Sequence, residues 1–266
     1  MLGSVAVHGD LPVKSSTPEA LWSARSVRVL RPAAVNCQGL DRRPLLDGFS
    51  LRVPVGSRLL LVAQPDASAS LLLRALAGLA RVRGRIEMAG MSDPSREGWA
   101  RRVAYLGADP GLYAWMSPRE ALQLAARLAE LPHDEAARRT EAAVEHYGLA
   151  GSFERPMVRG GPGLMQRVGL AAALLGDPEV LLLDEPLRAL DPDERARLLK
   201  IRGSRRTVIM ASRYPASEGG ICTGVALIRL GRLAFAGAIS GLDARGLPLS
   251  MRGIEMLAAA TAGAGG

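Results

Sequence analysis

The sequence predicts an α/β fold in which short buried strands form a parallel sheet and alternate with helices. Three apolar runs carry this prediction, at residues 58–63, 180–183 and 207–211. Each run is short and rich in leucine, isoleucine or valine, and lacks the polar alternation of a strand with one side in water. The first run leads to a segment with helical spacing at residues 70–79. A strand followed closely by a helix is the repeating unit of a parallel sheet.

The N-terminal part of the chain predicts an arm followed by an antiparallel sheet. Residues 1–24 show no clear periodicity and contain prolines and serines, so we expect them to be disordered. Ordered structure is expected from about Ser26. Residues 27–30 and 49–53 alternate well enough for two antiparallel strands.

Residues 110–170 are predicted to form a mostly helical subdomain, reached from a strand at residues 101–106. Pro118 at the first helical position, with Glu120 three residues after Ser117, is typical of a capping box. Helical spacing continues through residues 122–128 and resumes at residues 134–147.

The last part of the chain predicts a β-hairpin and a tail. Residues 225–229 and 232–235 are two β runs separated by Gly231. Residues 258–266 consist almost wholly of alanine and glycine, and we expect this end to be disordered.

The composition fits a folded protein of one compact unit with a subdomain. The chain has 266 residues, of which 48% are hydrophobic and 23% charged, and this content excludes a disordered chain. The net charge of +8 comes almost wholly from arginine, because the only lysines are Lys14 and Lys200. The arginines are scattered and no aromatic residues alternate with them, so we expect no nucleic-acid partner.

No segment of the sequence is expected to enter a membrane. There is no run of about 18 uncharged apolar residues, and the N-terminus lacks a basic stretch followed by an apolar one. Cys37 and Cys222 are too few and too far apart for a metal knuckle or a disulfide framework. We therefore expect reduced thiols in a cytoplasmic protein that contacts a membrane only through a partner.

Two carboxylates follow directly on the apolar run at residues 180–183. Asp184 and Glu185 are expected at the carboxyl edge of the parallel sheet, where ligands of such sheets bind. At that edge one carboxylate can hold Mg²⁺ and the next can polarise an attacking water. A buried strand that ends at an acidic turn has the same local sequence, so the two residues alone do not decide the chemistry.

Further motifs flank the carboxylates. Gly160-Gly161-Pro162-Gly163 precedes Gln166-Arg167-Val168-Gly169-Leu170-Ala171, and Ala189-Leu190-Asp191-Pro192 follows Pro186. In this order and spacing the passage resembles the nucleotide-binding subunit of an ABC transporter, with its signature loop and helix, Walker B strand and D-loop. The resemblance covers residues 25–240 and leaves residues 241–266 as a C-terminal tail. It implies an ABC-type P-loop NTPase fold with a RecA-like core, an antiparallel β subdomain and a helical subdomain.

The resemblance also implies a site for ATP and Mg²⁺. In it Glu185 is the general base, and Asp184 and Ser70 are the metal ligands. The residues expected to contact the nucleotide are Ser70, Asp184, Asp191, Gly161 and Gly163.

The phosphate-binding loop departs from the family pattern. Such loops need glycines whose amides converge on phosphate, a lysine for the β and γ oxygens, and a Ser or Thr for Mg²⁺. Here residues 63–71 read AQPDASASL. Ala69 stands at the lysine position, Pro65 removes an amide donor, and Asp66 places a negative charge where polyphosphate would lie. Only Ser70 matches.

Other nucleotide contacts depart as well. The altered positions are Gly107-Ala108-Asp109 in place of a glutamine, Arg213 in place of a histidine, Cys37 in place of an adenine-stacking aromatic, Gly161 in place of the signature serine and Pro162 in place of a signature glycine. We therefore expect weak binding of Mg-ATP.

These features make the chain resemble an ATP-binding subunit that has lost its activity. Residues 221–232 are similar to the end of ATPases of ABC-2-type exporters. The expected role is a degenerate, non-hydrolysing partner of a competent ATPase homologue, joined to a separate transmembrane permease at the inner face of the membrane. Two alternatives remain open, an active ATPase with an atypical phosphate loop and a soluble scaffold or regulator derived from the ABC fold.

Overall fold

The computed structural model describes residues 20–29, 46–64, 68–88, 91–92, 97–191, 194–195 and 206–262. The chain divides into two compact units, one of residues 1–96 with 207–266 and the other of residues 97–206. The described strands are β1 (Ala20–Val29), β2 (Leu46–Pro54), β3 (Arg58–Gln64), β4 (Arg83–Met88), β5 (Val103–Leu106), β6 (Val180–Asp184), β7 (Thr207–Ala211), β8 (Gly224–Arg229) and β9 (Arg232–Ala238). The described α-helices are α1 (Ser68–Leu76), α2 (Glu97–Arg102), α3 (Pro118–Leu128), α4 (His133–His146), α5 (Gly161–Leu175), α6 (Pro215–Glu218), α7 (Ser240–Asp243) and α8 (Met251–Ala262).

In the first unit, β3 lies between two parallel neighbours. It pairs in parallel with β7 on one side and with β8 on the other, and β9 returns antiparallel beside β8. The side chains of residues 59–62 are fully buried, because leucine and valine on both sides of the strand face apolar neighbours. The parallel pairing and the hairpin at Gly231 are confirmed.

A small antiparallel sheet completes the strands of this unit, with β1 between β2 and β4. In β2 the buried residues Leu51 and Val53 flank the exposed Arg52, which is the alternation of a sheet with one side in water. The strand predicted from about Ser26 begins at Ala20, so part of the segment expected to be disordered is paired. Residues 1–19 lie outside the described residues.

Helix α1 follows β3 and is shorter than predicted. It ends at Leu76 instead of continuing to residue 79, because the amides of Gly78 and Leu79 turn back to the carbonyls of Ala75 and Arg74 at 3.0 and 2.8 Å. The helix packs an apolar side inward through Leu72 and its neighbours. Its first residue, Ser68, is fully buried.

The prediction of a disordered end at residues 258–266 is wrong for residues 258–262, which belong to α8, and residues 263–266 lie outside the described residues. Alanine has the highest helix propensity, and Ile254 and Leu257 supply a buried face. The alanine-rich segment up to Ala262 is therefore helical and not disordered. No helix among the described residues is long and apolar enough to cross a membrane.

The second unit contains β5 and β6, paired in parallel, and the helices α2 to α5. Every residue of β6 is buried. The capping box at the start of α3 is confirmed, with Ser117 N donating to Glu120 Oε2 at 2.8 Å and Glu120 N donating to Ser117 Oγ at 3.3 Å. Helices α3, α4 and α5 pack against one another.

Candidate functional site

Strand β6 ends in two buried carboxylates. Asp184 is its last residue and Glu185 follows, with 6% and 7% of their surfaces exposed. The neighbouring strand supplies a phenol, since the hydroxyl of Tyr105 donates a long hydrogen bond of 3.4 Å to Asp184 Oδ2. The parallel register, which sets Tyr105 opposite Leu182, brings this hydroxyl to the end of β6. The carboxylate expected to hold a metal thus has a protein donor beside it.

The backbone at Glu185 lies in the left-handed region, with φ of +50°. That conformation is uncommon for a residue with a side chain, and it persists only where surrounding structure holds it. The chain turns here, with Arg188 N donating to Glu185 O at 3.2 Å and Leu190 N donating to Leu187 O at 3.1 Å. A constrained turn therefore follows the strand and fixes the position of the second carboxylate.

Helix α5 supports this turn through Gln166. The side-chain amide of Gln166 donates to the carbonyl oxygen of Pro186 at 2.7 Å, and both residues are buried. The residue belongs to the signature helix of the sequence resemblance, but its role was not predicted. A polar residue on the apolar face of that helix is the signal that could have revealed it.

The two predicted signature glycines have different local roles. Gly161 has φ of +70°, so a side chain there would be strained although space is open around it. At Gly163 an added Cβ would lie 3.1 Å from the carbonyl oxygen of Ala189, in the turn after β6. The structure therefore brings Gly163 against the D-loop segment. Gly161, at the position of the expected serine, has no such neighbour within 4 Å of an added Cβ.

The side chain of Asp191 accepts a hydrogen bond from the backbone amide of Glu194, three residues further along the chain. Its Oδ1 accepts a hydrogen bond of 2.8 Å from Glu194 N, and Glu194 Oε2 lies 3.4 Å from Asp191 N. This reciprocal arrangement is that of a capping box with aspartate in place of serine. The predicted nucleotide-contact residue thus has a local structural partner in this chain. Residues 192–193 and 196–205 lie outside the described residues.

The loop after β5 forms a closed turn where a glutamine was expected. Asp109 Oδ1 accepts a hydrogen bond from Gly111 N at 3.0 Å, which is an Asx turn. The aspartate side chain is therefore engaged by its own loop.

In the first unit, the lysine position falls within the first turn of α1. Ala69 is the second residue of the helix and only 7% exposed, and Ser70 is half-buried beside it. The sole cation of α1 is Arg74, in its last turn. The expectations for Pro65 and Asp66 concern residues 65–67, which lie outside the described residues, as does Cys37.

The end of β7 presents an exposed arginine at the expected histidine position. Ser212 N donates to Leu61 O at 3.2 Å, and Ser212 Oγ accepts from Tyr214 N at 2.9 Å. Between them Arg213 is exposed, with its guanidinium 6.0 Å from the centre of the Tyr214 ring. Arginine keeps its positive charge at all physiological pH values, so this position cannot exchange a proton as histidine does.

A profile of the family described as ABC transporter matches residues 46–188 of this sequence. The chain belongs to the ABC transporter family. The match spans more than half of the chain and includes the end of β6, Asp184 and Glu185.

Curated relatives of this ABC-family chain are ATP-binding proteins. An uncharacterised ABC transporter ATP-binding protein of Nostoc sp. is 32% identical over 203 residues, which cover 74% of this chain and 61% of that protein. The daunorubicin resistance ATP-binding protein DrrA3 of Streptomyces coeruleorubidus is 31% identical, covering 79% of this chain and 70% of the relative. The nickel import ATP-binding protein NikO of Rhodobacter capsulatus is 32% identical, covering 76% and 86%.

Solved structures agree on the fold of the ABC-family chain. An ATP-binding subunit of an ABC transporter superposes with a TM-score of 0.74 at 22% identity, over 89% of this chain and 97% of that one. CbiO1 from Clostridium perfringens, part of the ABC transporter complex CbiONQ, gives a TM-score of 0.68 at 22% identity, over 85% and 91%. The predicted ABC-type P-loop NTPase fold is confirmed.

The described residues of this ABC-family chain include some of the groups that the sequence assigned to Mg-ATP. Of the groups that such a site requires, the described residues offer Ser70, Asp184 and Glu185, while a buried methyl stands at the lysine position. Among the described residues no group of three His, Cys, Asp or Glu side chains is placed to hold a metal ion. The described part of the chain therefore has both expected carboxylates, and the side chain at position 69 is uncharged.

Proposed function

We propose that this chain is the degenerate, non-hydrolysing ATP-binding subunit of an ABC exporter. It pairs with a competent ATPase homologue and with a separate transmembrane permease, at the inner face of the membrane. Its nucleotide-binding domain is proposed to span residues 25–240. The observation that carries the proposal is Ala69, the second residue of α1.

The side chain at position 69 cannot replace the missing cation. A lysine there reaches the β and γ oxygens of the nucleotide in P-loop proteins, whereas the Ala69 methyl group is buried within the first turn of α1. Arg74 is the only cation of the helix and lies at its opposite end. The positive charge that would hold a triphosphate is therefore missing from this element.

Two contacts support a structural role for Asp184 and Glu185. Asp184 has the Tyr105 hydroxyl beside it, and the turn that starts at Glu185 is fixed by the bond from Gln166 to Pro186 O. A general base acts only on a water held in line with a γ-phosphate. We propose that Asp184 and Glu185 are retained to shape this turn, which faces a partner subunit through the D-loop.

The exporter part of the proposal rests on a resemblance in residues 221–232. One relative is named for daunorubicin resistance and another for nickel import, and their identities to this chain are nearly equal. The exporter assignment therefore depends on residues 221–232, which are similar to ABC-2-type ATPases. The cargo is left open.

A second candidate is an active ATPase with an atypical loop. It is favoured by Glu185, which keeps the position of the catalytic base in a constrained backbone conformation, with φ of +50°. Strained residues at the end of a strand are common at catalytic sites.

Purification of the tagged chain from native membranes tests the proposal. We expect a permease and a second ABC ATPase to co-purify, with ATP turnover by the complex and none by the isolated chain. Turnover by the isolated chain would establish the active alternative. Recovery without any membrane protein would overturn the transporter assignment and favour a soluble scaffold.

A further inference from the structure

One face of the small antiparallel sheet is rich in arginine. In β4 the residues Arg83, Arg85 and Glu87 alternate with the buried Ile86 and Met88, so they occupy the side away from the core. Arg52 of β2 is exposed in the same way. Arg81, just before β4, is also exposed.

The backbone register also pairs two arginine positions of β1 with β4. It sets Arg25 of β1 directly opposite Arg85, and Arg28 directly opposite Arg83. We call the exposed Arg52, Arg83 and Arg85, together with the neighbouring Arg81, the arginine face.

Few acidic groups balance this charge. Glu87 forms an ion pair with Arg85 at 2.5 Å, yet the Arg85 side chain remains 68% exposed. Arg52, Arg81 and Arg83 form no ion pair with any residue that the structure describes. Asp47 of β2 is directed to Arg232 of β9, 3.4 Å away. The face is therefore a concentrated positive surface, in contrast to the scattered arginines elsewhere.

We propose that the arginine face docks on an anionic phospholipid surface. Arginine binds phosphate through several donors in a planar fork, and each basic residue near an anionic leaflet adds to the attraction. This contact supplements the protein partner, and it revises the expectation that membrane contact goes only through that partner. The inference rests on the proposed function, which puts the chain at a membrane.

The chemistry of the face favours lipid over nucleic acid. Proteins that hold single strands stack bases on aromatic side chains, and the described residues on the exposed side of β2 and β4 include no aromatic. A double helix is read by an element that enters a groove, and a broad sheet face offers none. Charge complementarity alone, spread over a sheet, suits a planar array of phosphates.

Vesicle flotation with the full chain tests the proposal. Vesicles of phosphatidylcholine with about 30 mol% phosphatidylglycerol are compared with pure phosphatidylcholine at low and at high salt, because screening weakens such contacts. We expect binding only to the anionic vesicles, and a strong decrease with salt. The variant Arg52→Gln with Arg83→Gln should bind at least about tenfold more weakly.

Two further variants separate this face from total charge. Arg245→Gln with Arg252→Gln removes the same charge from exposed positions of the first unit that lie outside the small antiparallel sheet and should stay within about twofold of wild type. Glu87→Gln removes the carboxylate beside Arg85 and should strengthen binding. Circular dichroism checks that each variant is folded.

Several outcomes would overturn the proposal. They are equal losses in the two double variants, binding independent of phosphatidylglycerol, or displacement from anionic vesicles by a duplex DNA fragment that binds the same face. If the chain fails to bind vesicles but co-purifies with a permease, the lipid contact is wrong and the proposed function stands. If the chain binds the anionic vesicles but no permease co-purifies with it from native membranes, the proposed function is wrong and the lipid contact stands.

Discussion

The side-chain amide of Gln166 and the carbonyl oxygen of Pro186 are joined by a buried hydrogen bond of 2.7 Å. It connects helix α5 to the turn that directly follows Asp184 and Glu185. The signature segment approaches the same turn again one helical turn earlier, where a Cβ added at Gly163 would lie 3.1 Å from the carbonyl oxygen of Ala189. The helix therefore contacts the turn that carries the second carboxylate at two successive helical turns.

Gln166→Ala should destabilise the second unit by about 1–3 kcal/mol, because it leaves the carbonyl of Pro186 buried without its donor. Urea unfolding followed by circular dichroism measures the change. Gln123→Ala, at an exposed position of α3, is the matched control and should change the free energy of unfolding by less than about 0.5 kcal/mol. Equal effects of the two substitutions would show that the bond contributes nothing.

The sequence predicted the elements whose signals are local and strong. β7 has the predicted bounds, and β6 is one residue longer than predicted and ends at Asp184. A continuous apolar run as short as these indicates a buried strand and not a helix. The capping box of Ser117 and Glu120 was also predicted, since it depends on residues three apart.

Other features depend on contacts that no local pattern contains. β1 begins at Ala20 because it pairs with both β2 and β4, and this pairing compensates for its weak alternation. α8 is helical because Ile254 and Leu257 find a core to face, which alanine and glycine content does not reveal. At the site, the positions of Asp184 and Glu185 followed from the strand, but the hydroxyl of Tyr105 required the register of another strand.

Leu182→Ala should cost about 2–5 kcal/mol through lost burial and a residual cavity. Leu182 is fully buried in β6, opposite Tyr105. Thermal and urea unfolding measure the loss, and Leu128→Ala serves as the control because that side chain is 76% exposed. A Leu182→Ala variant as stable as wild type would contradict the position of β6, and with it that of Asp184.

Glu135 should make stability depend on pH in the acid range. Hydrogen bonds from Arg138 and Arg139 lower the pKa of this carboxyl from 4.5 to about 2. The folded-state pKa is depressed, so the stabilisation is fully present above about pH 4.5 and is lost as the pH falls toward 2. Glu135→Gln should make the melting temperature less dependent on pH between about pH 4.5 and 2. Glu141→Gln, which removes an exposed carboxylate of the same helix, should leave the slope unchanged, and an equal flattening would disprove the assignment.

The isolated chain should bind Mg-ATP weakly. The lysine and the amide cradle supply charge-assisted hydrogen bonds of about 1.5–3 kcal/mol each, and the loss of two weakens binding by at least about a hundredfold. Isothermal titration calorimetry measures the affinity. Ser70→Ala is an internal control, since a working loop would lose affinity with this hydroxyl and a degenerate one should not. A dissociation constant in the low micromolar range would refute the prediction.

Glu185→Gln should change the ATPase activity of a reconstituted complex by less than about twofold, although a general base contributes roughly 10²–10⁴-fold where it acts. The base needs a γ-phosphate and a water held in line beside it, and in the proposed alignment Ala69 stands where a lysine would hold the phosphate. The corresponding substitution in the competent homologue should nearly abolish turnover. Both variants are measured on complexes prepared in parallel, with assembly checked by gel filtration, so that a loss of activity is not a loss of the partner. If Glu185→Gln alone removes most of the turnover, this subunit hydrolyses ATP, and the retained carboxylates serve catalysis rather than the shape of the turn.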